Sequence, residues 1–118
     1  MRTKTRDQAV GEFAEAMWGK CFTLSESSLG TDIAYWTPTT EDPPSGLLRM
    51  PASARPLHEH LEFVGRVAEH FPDVDVKMTI FRLSGFAHTV ALGRFAGTAD
   101  DVSWAVVLAA TAARKGKP

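Results

Sequence analysis

This chain of 118 residues has one cysteine, one tyrosine, almost no net charge and no long apolar run, and each shortage excludes something. The lone Cys21 cannot close an internal disulfide, which suits a reducing compartment. With 13 basic and 14 acidic residues the net charge is −1, and no basic block interrupts the middle of the chain. Nothing electrostatic therefore argues for nucleic acid as a partner. No apolar stretch approaches the roughly 18 residues that a membrane span needs. Near the N-terminus, Arg6-Asp7-Gln8 stands where a secretory signal would be apolar. These absences describe a cytoplasmic protein with no membrane partner. Also missing are internal repeats, a glycine-rich phosphate loop, a GxSxG elbow, an HExxH pair and a Cys–His pair.

What is present is ordinary for a globular chain: 44% apolar and 23% charged residues, consistent with one domain over residues 1–118. Val10, Phe13, Ala14, Met17, Trp18 and Cys21 recur with helical spacing and predict a helix over 6–22. Thr23-Leu24-Ser25-Glu26 has the spacing of a capping box, so a second, short helix is expected, stopped by Gly30. Asp32 to Thr37 reads as a strand closed by Pro38, and Gly46 to Met50 as a short edge strand within a proline-rich loop. Pro56 opens another helix, with Leu57, Leu61, Val64, Ala68 and Phe71 as its buried stripe and Pro72 as its stop.

Three strands are then expected. Val74, Val76, Met78 and Ile80 alternate with polar residues as in a half-buried strand, and Ser84-Gly85 marks a hairpin turn. The second strand runs from Phe86 to about Ala96, followed by a turn over Gly97–Asp101. Val102 to Ala113 is apolar on both faces of a two-residue period and reads as a covered central strand. Basic residues at the two ends (Arg2, Lys4, Arg6; Arg114, Lys115, Lys117) read as solvated tails.

This order of elements resembles the NTF2-like, SnoaL-like superfamily. The residues that carry the likeness are Asp32-Ile33-Ala34-Tyr35-Trp36-Thr37-Pro38, Glu69-His70-Phe71-Pro72-Asp73-Val74 and the strand running into Gly97-Thr98. The resemblance implies a cone-like α+β fold, in which a curved antiparallel sheet wraps two to three N-terminal and central helices and leaves a pocket at its wide end. It also implies a homodimer. The chain departs from the pattern after Arg114, where the family's last strand is missing, and a final strand left bare at its edge would be a pairing hazard.

Few residues offer chemistry. His58-Glu59-His60 cannot clasp a metal from a helix, because residues two apart point about 200° from one another, so no metal or cofactor is assigned. His58 with Glu62, at i and i+4, reads as a surface pair. His88 lies in an apolar strand, where it is either a hydrogen-bonded core residue or a proton carrier near neutral pH. Arg82 and Arg94 interrupt apolar strands, as rim ion pairs or as anchors for an anionic group. Tyr35, Trp36 and Trp104 are large apolar surfaces with polar handles, equally suited to a core and to a ligand site.

Two functions stay open. The first is a pocket acting on a small apolar, polyketide- or terpenoid-like molecule by isomerisation, cyclisation or hydrolysis. His88 would be its proton carrier, with Tyr35, Trp36, Arg82 and Trp104 as binding residues. The second is a non-catalytic module that binds a ligand or protein through a sheet face and an exposed edge. The absence of a strand-interior carboxylate and the missing final strand favour the second, the many enzymes of the resembling family favour the first, and the balance leans slightly to an enzyme-like pocket.

Overall fold

A computed structural model describes residues 5–36, 46–80 and 87–116. The element order is α1 (Arg6–Trp18), β1 (Phe22–Ser27), β2 (Gly30–Tyr35), β3 (Gly46–Pro51), α2 (Leu57–Ala68), β4 (Val76–Thr79), β5 (His88–Leu92), β6 (Phe95–Ala99) and α3 (Val102–Lys115). The strands form two three-stranded antiparallel sheets, ordered β1-β2-β3 and β4-β5-β6. The α+β class expected from the sequence is therefore present, with its strands shared between two sheets.

Helix α1 is set by its ends. Thr5 accepts from the Gln8 backbone N–H while the Gln8 side chain accepts from the Thr5 N–H, a complete capping box. Ala9, Val10, Phe13 and Ala14 face the core, and the helix stops at Gly19, so Cys21 lies beyond it, half-buried.

The short helix expected after it does not form. Residues 22–27 pair in register with β2, from Phe22 opposite Tyr35 to Ser27 opposite Gly30. A capping box stabilises a helix by under about 2 kcal/mol, and a full strand ladder outcompetes it. Gly30 serves this hairpin rather than a helix end. Its φ is +145°, and a Cβ there would run into the Met50 carbonyl across the sheet. The expected edge strand at 46–50 is present as β3.

In α2 the buried stripe is rotated from expectation. His60, Phe63, Val64 and Val67 are buried, whereas Leu57 is exposed. Pro56 sits at the N-cap, one residue before the helix proper. In the second sheet, β5 turns into β6 at Gly93-Arg94, not at 97–101, with Leu92 opposite Phe95. Gly93, at φ +62°, takes the first position of this two-residue turn. Residues 97–99 belong to β6. The expected turns at Pro43-Pro44 and Ser84-Gly85 lie outside the described residues.

The largest correction is at the C-terminal end: Val102–Lys115 is a helix, not a central strand. Asp101 caps it, accepting from the Trp104 backbone N–H at 2.7 Å, and Gly116 ends it in the left-handed conformation. Among its buried residues, Val102, Ala105, Val106, Ala109 and Ala110 recur at three and four, a period that an alternating reading also fits because nearly every residue is apolar. Length decides: 14 residues is long for a strand and ordinary for a helix. With no strand here, the bare final edge expected from the sequence does not exist, and Arg114-Lys115 form the last helical turn.

Helix α3 packs across β5 and β6 and also meets α1 and α2. Gly97 of β6 lets it come close, because a Cβ there would strike the Ala105 carbonyl. One apolar cluster joins Phe13 of α1, Ile33 and Leu48 of the first sheet, Phe63 of α2, Val90 and Leu92 of β5, and Val106 of α3.

Candidate functional site

The residues singled out in the sequence are distributed over the molecule. Tyr35 ends β2, stacked on Trp18 with ring centroids 4.1 Å apart and planes 6° apart. His70 meets both rings edge-on, at 5.7 Å from Trp18 and 5.8 Å from Tyr35. Arg114 completes this cluster: it lies 4.8 Å over the Phe71 ring and donates to the His70 carbonyl at 3.2 Å. Four elements are clamped together here, so Tyr35 serves as a packing residue and Arg114 is not part of a solvated tail. Burial, reinforced by the Arg114 charge, lowers the His70 pKa below its ordinary value.

Trp36 lies half-buried just past β2, its N–H donating to the Cys21 carbonyl. Arg82 lies outside the described residues. His88 opens β5, half-buried, opposite Ala99 of β6. Arg94 occupies the β5–β6 turn, its guanidinium 5.0 Å over the Phe95 ring. Trp104 stands in the first turn of helix α3, its indole Nε1 buried with no hydrogen-bond partner among the described residues. Tyr35 therefore belongs to the first sheet, His88 to the second, and Trp104 to the helix covering the second.

A serine, a histidine and an aspartate meet at the start of α3. His60 Nδ1 lies 2.7 Å from Ser103 Oγ and 4.0 Å from Asp101 Oδ1. Nucleophilic catalysis needs the serine and the carboxylate on opposite ring nitrogens, and here both approach the same one. Ser103 is wholly buried, and Asp101 is occupied by the Trp104 N–H and by Arg6 Nε at 3.2 Å. Arg6 also donates to the Pro51 carbonyl. The cluster is a structural clasp joining α1, β3, α2 and α3. His58, two residues before His60, is exposed, so the pair point apart as helical geometry requires.

An open concavity lies elsewhere. A cleft of about 360 Å³ lies between β3 and α2, lined by Leu47, Arg49, Pro51, Glu59, Glu62, Phe63 and Arg66. Alternation along β3 sends Leu48 and Met50 into the core and turns Leu47 and Arg49 outward. From α2, Glu59, Glu62 and Arg66 face the cleft one turn apart, and Phe63 forms its buried wall.

Its charges divide into two kinds. Arg49 is held by Asp32 through two hydrogen bonds, 2.5 and 3.1 Å, which lower the Asp32 pKa below its ordinary value. Glu59 is held by Arg55 at 2.8 Å. Glu62 and Arg66, although at i and i+4, do not pair. Arg66 instead donates to the Leu47 carbonyl at 3.1 Å, and the expected pair of His58 with Glu62 is not formed. Both side chains are exposed at the cleft. The sequence showed these residues only as the polar face of an amphipathic helix. Their convergence depends on β3 lying alongside α2, which no local pattern encodes.

Comparison of the chain with protein-family models, curated proteins and solved structures returned no match. Among the described residues no helix is long and apolar enough to cross a membrane.

Proposed function

We propose that this chain is a non-catalytic binding module that takes a short peptide-like ligand in the cleft between β3 and α2. One observation carries the reading: Glu62 and Arg66 stand unpaired with each other beside an apolar wall of Leu47, Pro51 and Phe63. A ligand with an ammonium, an apolar side chain and a carboxylate complements all three features. Arg66 retains free guanidinium N–H groups suited to a carboxylate, and Glu62 accepts from an ammonium. A volume of about 360 Å³ falls in the range of small-ligand sites.

The rival reading, a SnoaL-like isomerase, cyclase or hydrolase with His88 as proton carrier, ranks second. The cleft includes none of Tyr35, Trp36, His88 and Trp104, and the Ser103–His60–Asp101 group is committed to structure. A cone with a wide-end pocket, the arrangement the NTF2-like resemblance implies, is not required for binding at the cleft.

The test is a titration of the isotope-labelled protein with dipeptides that carry a leucine side chain and free ends. Amide shifts are expected at Leu47, Phe63 and Arg66. Glu62→Ala and Arg66→Ala should each weaken binding by about three- to tenfold, the value of one exposed charged contact. His88→Gln should leave binding unchanged. Shifts centred on β5 and α3, with none at the cleft, would return the function to His88.

A further inference from the structure

Sheet β4-β5-β6 is wider than the helix that covers it. Val90 and Leu92 of β5 are buried at 0% and 1% exposure on the face that α3 covers. Met78 stands opposite Val90 and Val76 opposite Leu92, so both share that core face. Yet Val76 is 37% and Met78 44% exposed, and Val74, at the entrance to the strand, is 39% exposed. The apolar face of the sheet therefore runs on past its cover.

The rim of β4 is open as well. The Asp75 carbonyl accepts from the Gly93 N–H, and Lys77 is registered with Ala91, so residues 75, 77 and 79 turn their backbone groups toward β5. By alternation, the N–H and C=O groups of Val76 and Met78 point to the outer edge, on which no strand lies among the described residues. Asp75 and Lys77 project from the opposite face, exposed, and neither has an ion-pair partner among the described residues.

We infer that β4 pairs antiparallel with the β4 strand of a second copy of this chain, about a two-fold axis at Val76. Antiparallel neighbours project from the same face, so a two-fold pairing keeps odd residues opposite odd and even opposite even. Four axes within the strand satisfy this, and the one at Thr79 carries Val76 and Lys77 past the end of the partner's β4. With the axis at Lys77, the two lysines face one another, which is unfavourable. With the axis at Met78, Lys77 faces Thr79 and gains no counter-charge.

With the axis at Val76, Asp75 faces the partner's Lys77 and Lys77 faces the partner's Asp75. Val76 meets the partner's Val76, and Met78 meets the partner's Val74. The Val76 N–H and C=O pair with those of the partner's Val76, and the Met78 N–H reaches the partner's Val74 carbonyl. The Val74 N–H is committed to the Phe71 carbonyl at 3.3 Å, so the partner's Met78 carbonyl takes its hydrogen bond from water. One register thus pairs Asp75 with Lys77, joins the apolar surfaces and exchanges the Val76 backbone hydrogen bonds, and a second copy supplies all three complements. The result is a continuous six-stranded sheet with an α3 helix on each half and a joined apolar strip between them.

Charge exchange tests the register. Sedimentation of the wild type from micromolar to millimolar concentration should show a reversible dimer. Asp75→Lys alone and Lys77→Asp alone place like charges opposite twice over, and each should weaken self-association by about tenfold. Mixing those two single variants should restore dimerisation, because each chain then faces its complement, and native mass spectrometry should find the mixed species. The double variant Asp75→Lys/Lys77→Asp should dimerise on its own. Both side chains are exposed, so far-ultraviolet circular dichroism of every variant should match the wild type. A wild type that stays monomeric throughout overturns the inference. Single variants that dimerise like the wild type, or a mixture that gains nothing, overturn this register.

Discussion

Residue positions with little tolerance are found where backbone, not side chain, sets the spacing. Gly97 sits in β6 with its φ in the ordinary range, so nothing in its conformation demands glycine; contact does. A Cβ would be forced against the Ala105 carbonyl, 2.8 Å from the Ala109 nitrogen, and helix α3 would have to lift from the sheet. Gly97→Val is expected to cost about 3 kcal/mol or more, read as a lowered urea midpoint, since overpacking against backbone has no rotamer to relieve it. Gly116→Ala, at an open helix end, should cost about 1 kcal/mol. His70 gives the residue-scale pH dependence. Its pKa is lowered in the folded protein, so the unfolded chain binds a proton that the native state resists. The stability contributed by neutral His70 is complete above its unfolded value of 6.5 and is lost as pH falls from there toward the folded pKa. His70→Phe keeps a ring against Trp18 and Tyr35, and it should lose less melting temperature than the wild type between about pH 7 and pH 5. An identical pH slope in the two proteins would show that folding does not lower the histidine's pKa.

Element by element, the sequence was legible where a period was unambiguous and silent where two periods coincided. Helix α1 could be read from Val10, Phe13 and Ala14, and all three are buried. Strand β3 could be read from Gly46 to Met50 despite its prolines. Helix α3 could not be read by pattern, because Trp104-Ala105-Val106-Val107-Leu108-Ala109 is apolar in any period; the informative signals were Asp101 before the run and Gly116 after it. Strand β1 was misread because Thr23-Leu24-Ser25-Glu26 satisfies a local rule that a longer-range ladder overrides. The candidate cleft was the least legible feature, since it is made by the approach of two elements. Core membership predicts cost in the usual way: Phe13, fully buried and edge-on to Trp18, should lose about 3–5 kcal/mol on replacement by Ala. Amide exchange probes β4 directly. In monomer at low concentration, Lys77 and Thr79 should be protected and Val76 and Met78 should exchange rapidly. At high concentration the protection of Val76 and Met78 should rise, as backbone groups on the rim acquire partners. Equal exchange of all four amides at every concentration would place no ladder on either side.

At the scale of the whole molecule, the two sheets share one feature: an outer strand carries an exposed apolar residue opposite a buried one on its neighbour. In the first sheet Leu24 of β1 stands opposite buried Ile33 but is itself 41% exposed. In the second sheet Val76 and Met78 do the same for β4. The cleft lies at the opposite edge of the first sheet from β1, on strand β3. The proposed ligand cleft and the proposed pairing edge therefore lie on different strands, and a variant such as Asp75→Lys should retain dipeptide affinity. The clasp of Arg6, Asp101, His60 and Ser103 belongs to this scale too, because it ties the first helix to the last across the length of the chain.

That tie has a consequence for how the chain is made. Helix α3 follows in sequence every strand it covers, and the carboxylate that anchors Arg6 is its own capping residue. A ribosome adds roughly 5–20 residues per second, so the 16 residues after Ala99 through Lys115 take about 1–3 s to translate. For that interval β5 and β6 present Val90, Leu92 and Gly97 with no helix to lie against them. A message truncated within α3 would release a chain held permanently at this stage, its apolar face open, as a substrate for chaperones and proteases.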